Sequence, residues 1–301
     1  MFFVLLFQAE FAPIGTLFCL LVGSYGWIKE FKMKTKRFWS VLAFTVSSFL
    51  TIFGQETIFY AGGKVGIGMP SLATDSKSTP LNEGYALRLS YYGGFAFEIQ
   101  SDKILGFRTE INYSQQGGKR QGMQAIQLSN QLKGFWDLLS SKGVKHDNYM
   151  YANLKSYAIY NYLEVPFLAK CTFGSGRVFN FYLTSGPFIG FLLDAKSITK
   201  GASSIYLDKE GTDPVDKYLQ GEGLSVLGLQ SFNNDIDITK NLNKVNFGWQ
   251  GAIGFEIILK SGKLFMDFGG NYGFAPIQKD RSNGENITDN AVVTFGYLHQ
   301  L

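Results

Sequence analysis

Residues Tyr160 to Lys196 constrain this chain more than any other stretch. They read YNYLEVPFLAKCTF, a GSGR connection and VFNFYLTSGPFIGFLLDAK. Two runs rich in aromatic and β-branched residues, joined by a tight glycine-containing turn, read as a β-hairpin. At 14 to 19 residues these runs far exceed the ~5–6 residues usual for strands in soluble sheets. Alternate positions separate by polarity. Leu163, Val165, Phe167, Ala169, Cys171 and Phe173 share one face, and Tyr162, Glu164 and Lys170 share the other. On the second run Phe179, Phe181, Leu183, Ile189, Phe191 and Leu193 oppose Asn180, Tyr182, Thr184 and Asp194. Long strands with one apolar and one charged face predict the wall of a transmembrane barrel.

The same pattern recurs along the chain. Strands are expected over about 57–68, 85–100, 104–116, 155–173, 178–194, 244–260, 264–276 and 290–299. Their connections alternate between short (101–103, 174–177, 261–262) and long (69–84, 117–154, 195–243, 277–289). The expected fold is therefore all-β: an eight-stranded antiparallel up-and-down transmembrane β-barrel with short periplasmic turns and long extracellular loops. An even strand count puts both barrel ends on the short-turn side. The charged set is too sparse and too balanced in sign to cover an exterior in water. Facing lipid, each Lys or Arg at mid-depth would cost roughly 2–4 kcal/mol, whereas charges of both signs in a lumen can pair. Arg88, Arg108 and Lys170 are accordingly expected inside, facing Glu98, Glu110, Glu164, Glu256 and Asp267. If Ser261-Gly262 is a two-residue turn, Glu256 stands opposite Asp267, and Arg108 or Lys170 would have to reach across to separate their like charges.

The N-terminal region carries a second signal. Met33-Lys-Thr-Lys-Arg opens a basic segment, an apolar run from Val41 to Phe53 follows, and FGQE closes it. That is the order of a secretory signal peptide, expected over 33–55 with cleavage near Gly54–Glu56 and a barrel domain over 56–301. Residues 1–32 lack a basic n-region of their own and read as a mis-called upstream extension. Without residues 1–55 the chain holds 23 Lys/Arg and 22 Asp/Glu, so the basic balance belongs mostly to the leader and nucleic acid is not an expected partner. Cys19 and Cys171 show no metal-ligand spacing, and no cofactor is expected.

Several segments resemble a known family: YAGGKVGIGMPSL, FRTEINYSQQGGK, YNYLEVPFLAK, YLTSGPFIGFLLDAK and NFGWQGAIGFEIIL. Across about Phe59 to Leu301 the chain is similar to the PorT-type outer-membrane β-barrel proteins of Bacteroidetes. The resemblance implies an eight-stranded barrel in the outer membrane of a Gram-negative bacterium. The name-giving member is linked to type IX secretion, and no motif here transfers that role.

Catalysis finds little support in the residues. The two histidines, His146 and His299, are expected at opposite ends of the barrel. His146 has Asp137, Asp147, Ser140 and Ser141 nearby in sequence, which leaves an outer-membrane enzyme acting on lipid or peptide, a hydrolase built on that loop, as the alternative from another class. Inward Phe188 and Leu192 leave open a barrel that takes a small apolar ligand at its mouth. The glycine runs GGKVGIG and WQGAIG lie within strands, so they are not phosphate loops. The long loops 117–154 and 195–243 are where other envelope proteins would be met, with outer-membrane lipid around the wall. Gly122–Ser141 has approximately helical apolar spacing. The expected function is non-enzymatic: a structural, adhesive or envelope-assembly role in the outer membrane.

Overall fold

The computed structural model describes residues 57–74, 79–101, 104–126, 140–141, 143–144, 149–174, 178–220 and 227–301. The expected leader and extension, Cys19, His146, Asp137, Asp147 and most of the Gly122–Ser141 stretch lie outside them. Eight long strands form the wall: β1 (Ile58–Thr74), β2 (Ser90–Gln100), β3 (Leu105–Ile126), β4 (Met150–Gly174), β5 (Phe179–Lys200), β9 (Val245–Leu259), β10 (Gly262–Gly273) and β11 (Asn286–Gln300). Between β5 and β9 lie the short strands β6 (Ala202–Ser203), β7 (Gln230–Ser231) and β8 (Asn234–Asp237), and a one-turn helix α1 (Asp216–Leu219). Each long strand pairs antiparallel with its sequence neighbour, and β1 pairs with β11 to close the ring. Closure leaves no wall edge unpaired, which a chain without water around it requires.

Outward positions are apolar and open. Tyr91, Phe95 and Val65 are 75%, 74% and 70% exposed, while Glu98, Arg108, Glu164 and Lys170 are 0% exposed. This is a membrane barrel, its apolar set facing lipid and its polar set filling the lumen. On β4 the outward apolar series runs from Leu163 to Phe173. Ten residue steps of about 3.3 Å, at a tilt of about 40°, give a belt about 25 Å tall. Rings flank it. Phe59 and Phe97 stack 6.2 Å apart near one rim, and Tyr272 and Phe274 meet at 6.2 Å near the other.

Four expectations are corrected. β2 starts at Ser90, where its ladder with β1 begins at Gly68↔Ser90; pairing with β3 follows only from Tyr92↔Ser114. β1, β3, β4 and β5 run on into segments expected to be loops, reaching Thr74, Ile126, Met150 and Lys200. Above the belt their outer faces meet water, so the apolar alternation that marks a strand disappears. In the β9–β10 hairpin Leu259 pairs with Gly262, so Glu256 faces Phe265 and Asp267 faces Gly254. The direct Glu256–Asp267 pair is overturned. A shift of two residues keeps both side chains on the lumen face. Finally, a bulge at Leu193 takes the register from Tyr162↔Leu192 to Asn161↔Asp194. It turns Asp194 to the outer face, where the Asn161 amide donates to it at 2.9 Å.

Candidate functional site: the filled lumen and the extracellular body

The lumen nearer the short turns is held by a buried ion cluster. Glu98 on β2 accepts from Arg108 Nε at 2.8 Å, from Lys170 Nζ at 2.8 Å and from Lys263 Nζ. Lys170 also donates to Glu256 at 2.6 Å, and Lys263 lies 3.3 Å from the same carboxylate. Arg108 Nη1 reaches Asp267 at 3.2 Å, and the Tyr182 hydroxyl donates to Asp267 as well. Cations from β3, β4 and β10 thus meet carboxylates from β2, β9 and β10. The rings of Tyr182 and Phe265 lie 5.0 and 4.8 Å from the Arg108 guanidinium, and Lys170 Nζ is 4.2 Å from the Tyr182 ring. Facing rings favour cations in a dry site.

A second group lies apart from the first. Lys64 pairs with Glu110, whose carboxylate also accepts from Asn112 at 2.8 Å. Glu164 accepts from the amides of Gln116 (2.9 Å) and Asn271 (2.8 Å). Among the described residues no Lys or Arg forms an ion pair with it. A cavity of about 20 Å³ lies beside Lys64, Glu110, Asp267 and Asn271, room for about one water.

Arg88 is placed elsewhere. Its guanidinium donates to Gln115 Oε1 at 2.9 Å and to the Gln116 carbonyl at 2.8 Å, because it precedes β2 and sits in the wall where pairing with β3 becomes irregular. Two cluster members, Lys64 and Lys263, were not anticipated. Lys64 shares lumen parity with Tyr60 in FYAGGKVG, which was a usable signal. Lys263 falls between the expected turn (261–262) and the expected strand (264–276), so the sequence reading gives it no face; the shifted register places it on the lumen side.

Above the ions the lumen closes with apolar side chains. Leu72, Ala158, Tyr160, Tyr162, Ala195, Leu242 and Ile277 are buried together, with Tyr85, Leu192 and Ile238 against them. Phe188 is buried beneath. Past this plug the extended strands and the described parts of the connection that follows β5 (201–220 and 227–244) build a small body with its own core of Met150, Ile205, Leu207, Val215 and Leu219. Asp216 ties it internally, accepting from the backbone amides of Leu227 (2.8 Å) and Gly228 (2.9 Å). His299 sits at the opposite end, exposed, with its Nδ1 3.3 Å from the Tyr297 hydroxyl. Among the described residues no group of His, Cys, Asp and Glu side chains has metal-holding geometry.

No curated protein matches the chain. Solved structures similar to it include Ail, the attachment invasion locus protein of Yersinia pestis (10% identity, 80% of this chain and 98% of that one, TM-score 0.33). OprG from Pseudomonas aeruginosa (10%, 81% and 95%, 0.34) and Neisserial surface protein A (10%, 80% and 98%, 0.30) are also similar. At these TM-scores none carries an inference about what this chain binds. The outer membrane protein beta-barrel domain model matches residues 53–279. An all-antiparallel closed ring, an apolar outer belt, a charged lumen and that match agree: the chain belongs to the outer membrane protein β-barrel domain family and resides in the outer membrane.

Proposed function

We propose that this protein is a non-enzymatic structural, adhesive or envelope-assembly component that acts through its extracellular body. One observation carries the reading: the chain invests its regular structure beyond the belt in a body with a core of its own, while the lumen beneath is filled by ion pairs and side chains. A route for solutes would need the reverse, an open lumen under short loops. The ligand-barrel alternative is weakened by Leu72, Leu242 and Ile277, which are buried in the cluster that inward Leu192 packs against. Within the family we assign the chain to the PorT-type proteins of Bacteroidetes, on the LEVPFLAK and GPFIGFLLDAK elements. We also propose that export uses the signal peptide over 33–55.

The test replaces residues 202–232 with a short Gly/Ser connection and compares cells carrying either form. The truncated protein is expected in the outer membrane, with cell–surface adhesion or co-purifying envelope proteins lost. Unchanged adhesion and an unchanged set of co-purifying proteins would sink the reading.

A further inference from the structure

On the outer face of β3, β4 and β5, immediately beyond the belt, the alternation brings four lysines together. Asn161 marks the belt's upper limit on β4, opposite Gln115 and Asp194. One row higher Ile159 pairs with Lys196, then Tyr157 with Lys119 and Ile198, then Lys155 with Gln121 and Lys200. Lys119, Lys155, Lys196 and Lys200 are exposed. Lys155 and Lys200 stand directly opposite each other, an arrangement that is unfavourable without an anion between them. Lys119 is the diagonal neighbour of Lys155 on β3. The acidic residues nearby lie to one side: Asp237 pairs with Lys196, Asp235 with Ile198, and Asp194 is engaged by Asn161 below. Asp235 is thereby the diagonal neighbour of Lys200 as well as of Lys196, and none of these acids stands opposite Lys119 or Lys155. Among the described residues, no ion pair satisfies the three.

Height decides the ligand. Six residue steps from Asn161 to Lys155 are about 20 Å of strand, or about 15 Å above the belt at a tilt of about 40°. A phospholipid's single phosphate lies at the belt's edge, within reach of Lys196 alone. Lys119, Lys155 and Lys200 match a headgroup that extends outward and carries several anionic groups. Tyr157, Ile159 and Ile198 provide flat apolar surface between the charges, as a saccharide face requires. We propose that this face of the barrel docks one outer-leaflet lipid with a polyanionic saccharide headgroup. The site is separate from the core of the extracellular body and does not depend on what that body binds.

The test uses the full chain purified from outer membranes and reconstituted in phosphatidylcholine vesicles, with or without lipopolysaccharide. The wild type is expected to retain lipopolysaccharide through detergent extraction, and raised salt to weaken that retention. A lysine near an anionic surface is worth about fivefold in affinity, so K155Q/K200Q is expected to bind roughly 25-fold more weakly. K260Q, in the short β9–β10 turn at the opposite end of the barrel, is expected to bind like the wild type. Heat-modified gel mobility verifies that each variant folds. Equal retention by K155Q/K200Q and the wild type would overturn the proposal. So would capture of soluble heparin fragments with no preference for lipopolysaccharide vesicles over plain ones, which would reassign the patch to a free polyanion.

Discussion

At the scale of single residues, Glu98 and Glu164 separate two meanings of a buried carboxylate. Both are fully buried, but Glu98 is met by Arg108, Lys170 and Lys263, whereas Glu164 is met by neutral amides. Removing one partner of a buried ion cluster leaves the others uncompensated, which costs about 3–5 kcal/mol. Replacing Glu164 by the isosteric amide turns one of its two acceptor oxygens into a donor facing the Gln116 or Asn271 amide, which costs about 1–3 kcal/mol. We therefore expect Glu98→Gln to lower barrel stability more than Glu164→Gln. A urea series in lipid vesicles, with the folded fraction read from heat-modifiable gel mobility, checks the order. Equal losses would mean that charge pairing is not what distinguishes the two sites. Arg108→Ala belongs with Glu98→Gln, since it removes the partner shared by Glu98 and Asp267.

At the scale of elements, a glycine on β9 positions the cluster from across the sheet. Tyr182 pairs with Gly254, and a Cβ built on Gly254 would lie 2.3 Å from the Tyr182 ring. The bare backbone there is what lets the ring lie flat beneath Arg108 and Lys170 and reach Asp267. Gly254→Ala is expected to displace the ring and to cost about 1–3 kcal/mol, as overpacking does. The Tyr182→Phe change should lose the Asp267 bond and keep the packing, so it is expected to be milder on the same urea series. A Gly254→Ala variant as stable as wild type would remove the glycine from this role.

The turn that follows β8 offers a pH readout outside the membrane. Hydrogen bonds from the Thr239 side chain and backbone amide, the latter at 2.8 Å, hold the Asp237 carboxyl below its usual range. A lowered folded value contributes stability above the ordinary Asp range, and that contribution is lost as pH falls through the folded value. The Thr239 amide resonance is thus expected to hold steady from pH 7 to 5 and to titrate only at about pH 4 and below. Asp237→Asn should abolish the titration; its persistence in that variant would assign it to another group.

The elements also show what the sequence could reveal. Strand identity and facing were readable because lipid on one side and paired charge on the other enforce a period of two through the belt, as from Leu163 to Phe173. The signal failed where that contrast ended. Above the belt β3, β4 and β5 face water and packed loops, so their last turns of strand looked like loop. Register needed the turn geometry at Lys260 and Ser261, which no side-chain pattern records. The bulge at Leu193 reverses parity locally, and this alone moved Asp194 from the inner to the outer face.

For the molecule as a whole, the filled lumen sets the limit on transport. Ion pairs cross it from β2 to β3, β4 and β10, and the apolar plug of Leu72, Tyr160, Leu242 and Ile277 closes it toward the extracellular side. The small cavity between Lys64 and Asp267 has room for about one water, which is not a path. An ion entering would have to displace paired charges and then shed its hydration against the plug, a cost of several kcal/mol. The full barrel in a planar bilayer is therefore expected to give no channel steps above those of a protein-free membrane. Removing the plug alone, with Leu72→Ala, Leu242→Ala and Ile277→Ala together, should leave the bilayer equally silent, because the ion cluster still blocks the lumen. Combining these with Glu98→Gln should produce intermittent currents if the barrel still folds by the gel-shift criterion. Steady wild-type steps would show that the cluster opens on its own and would turn the protein from a surface component into a pore.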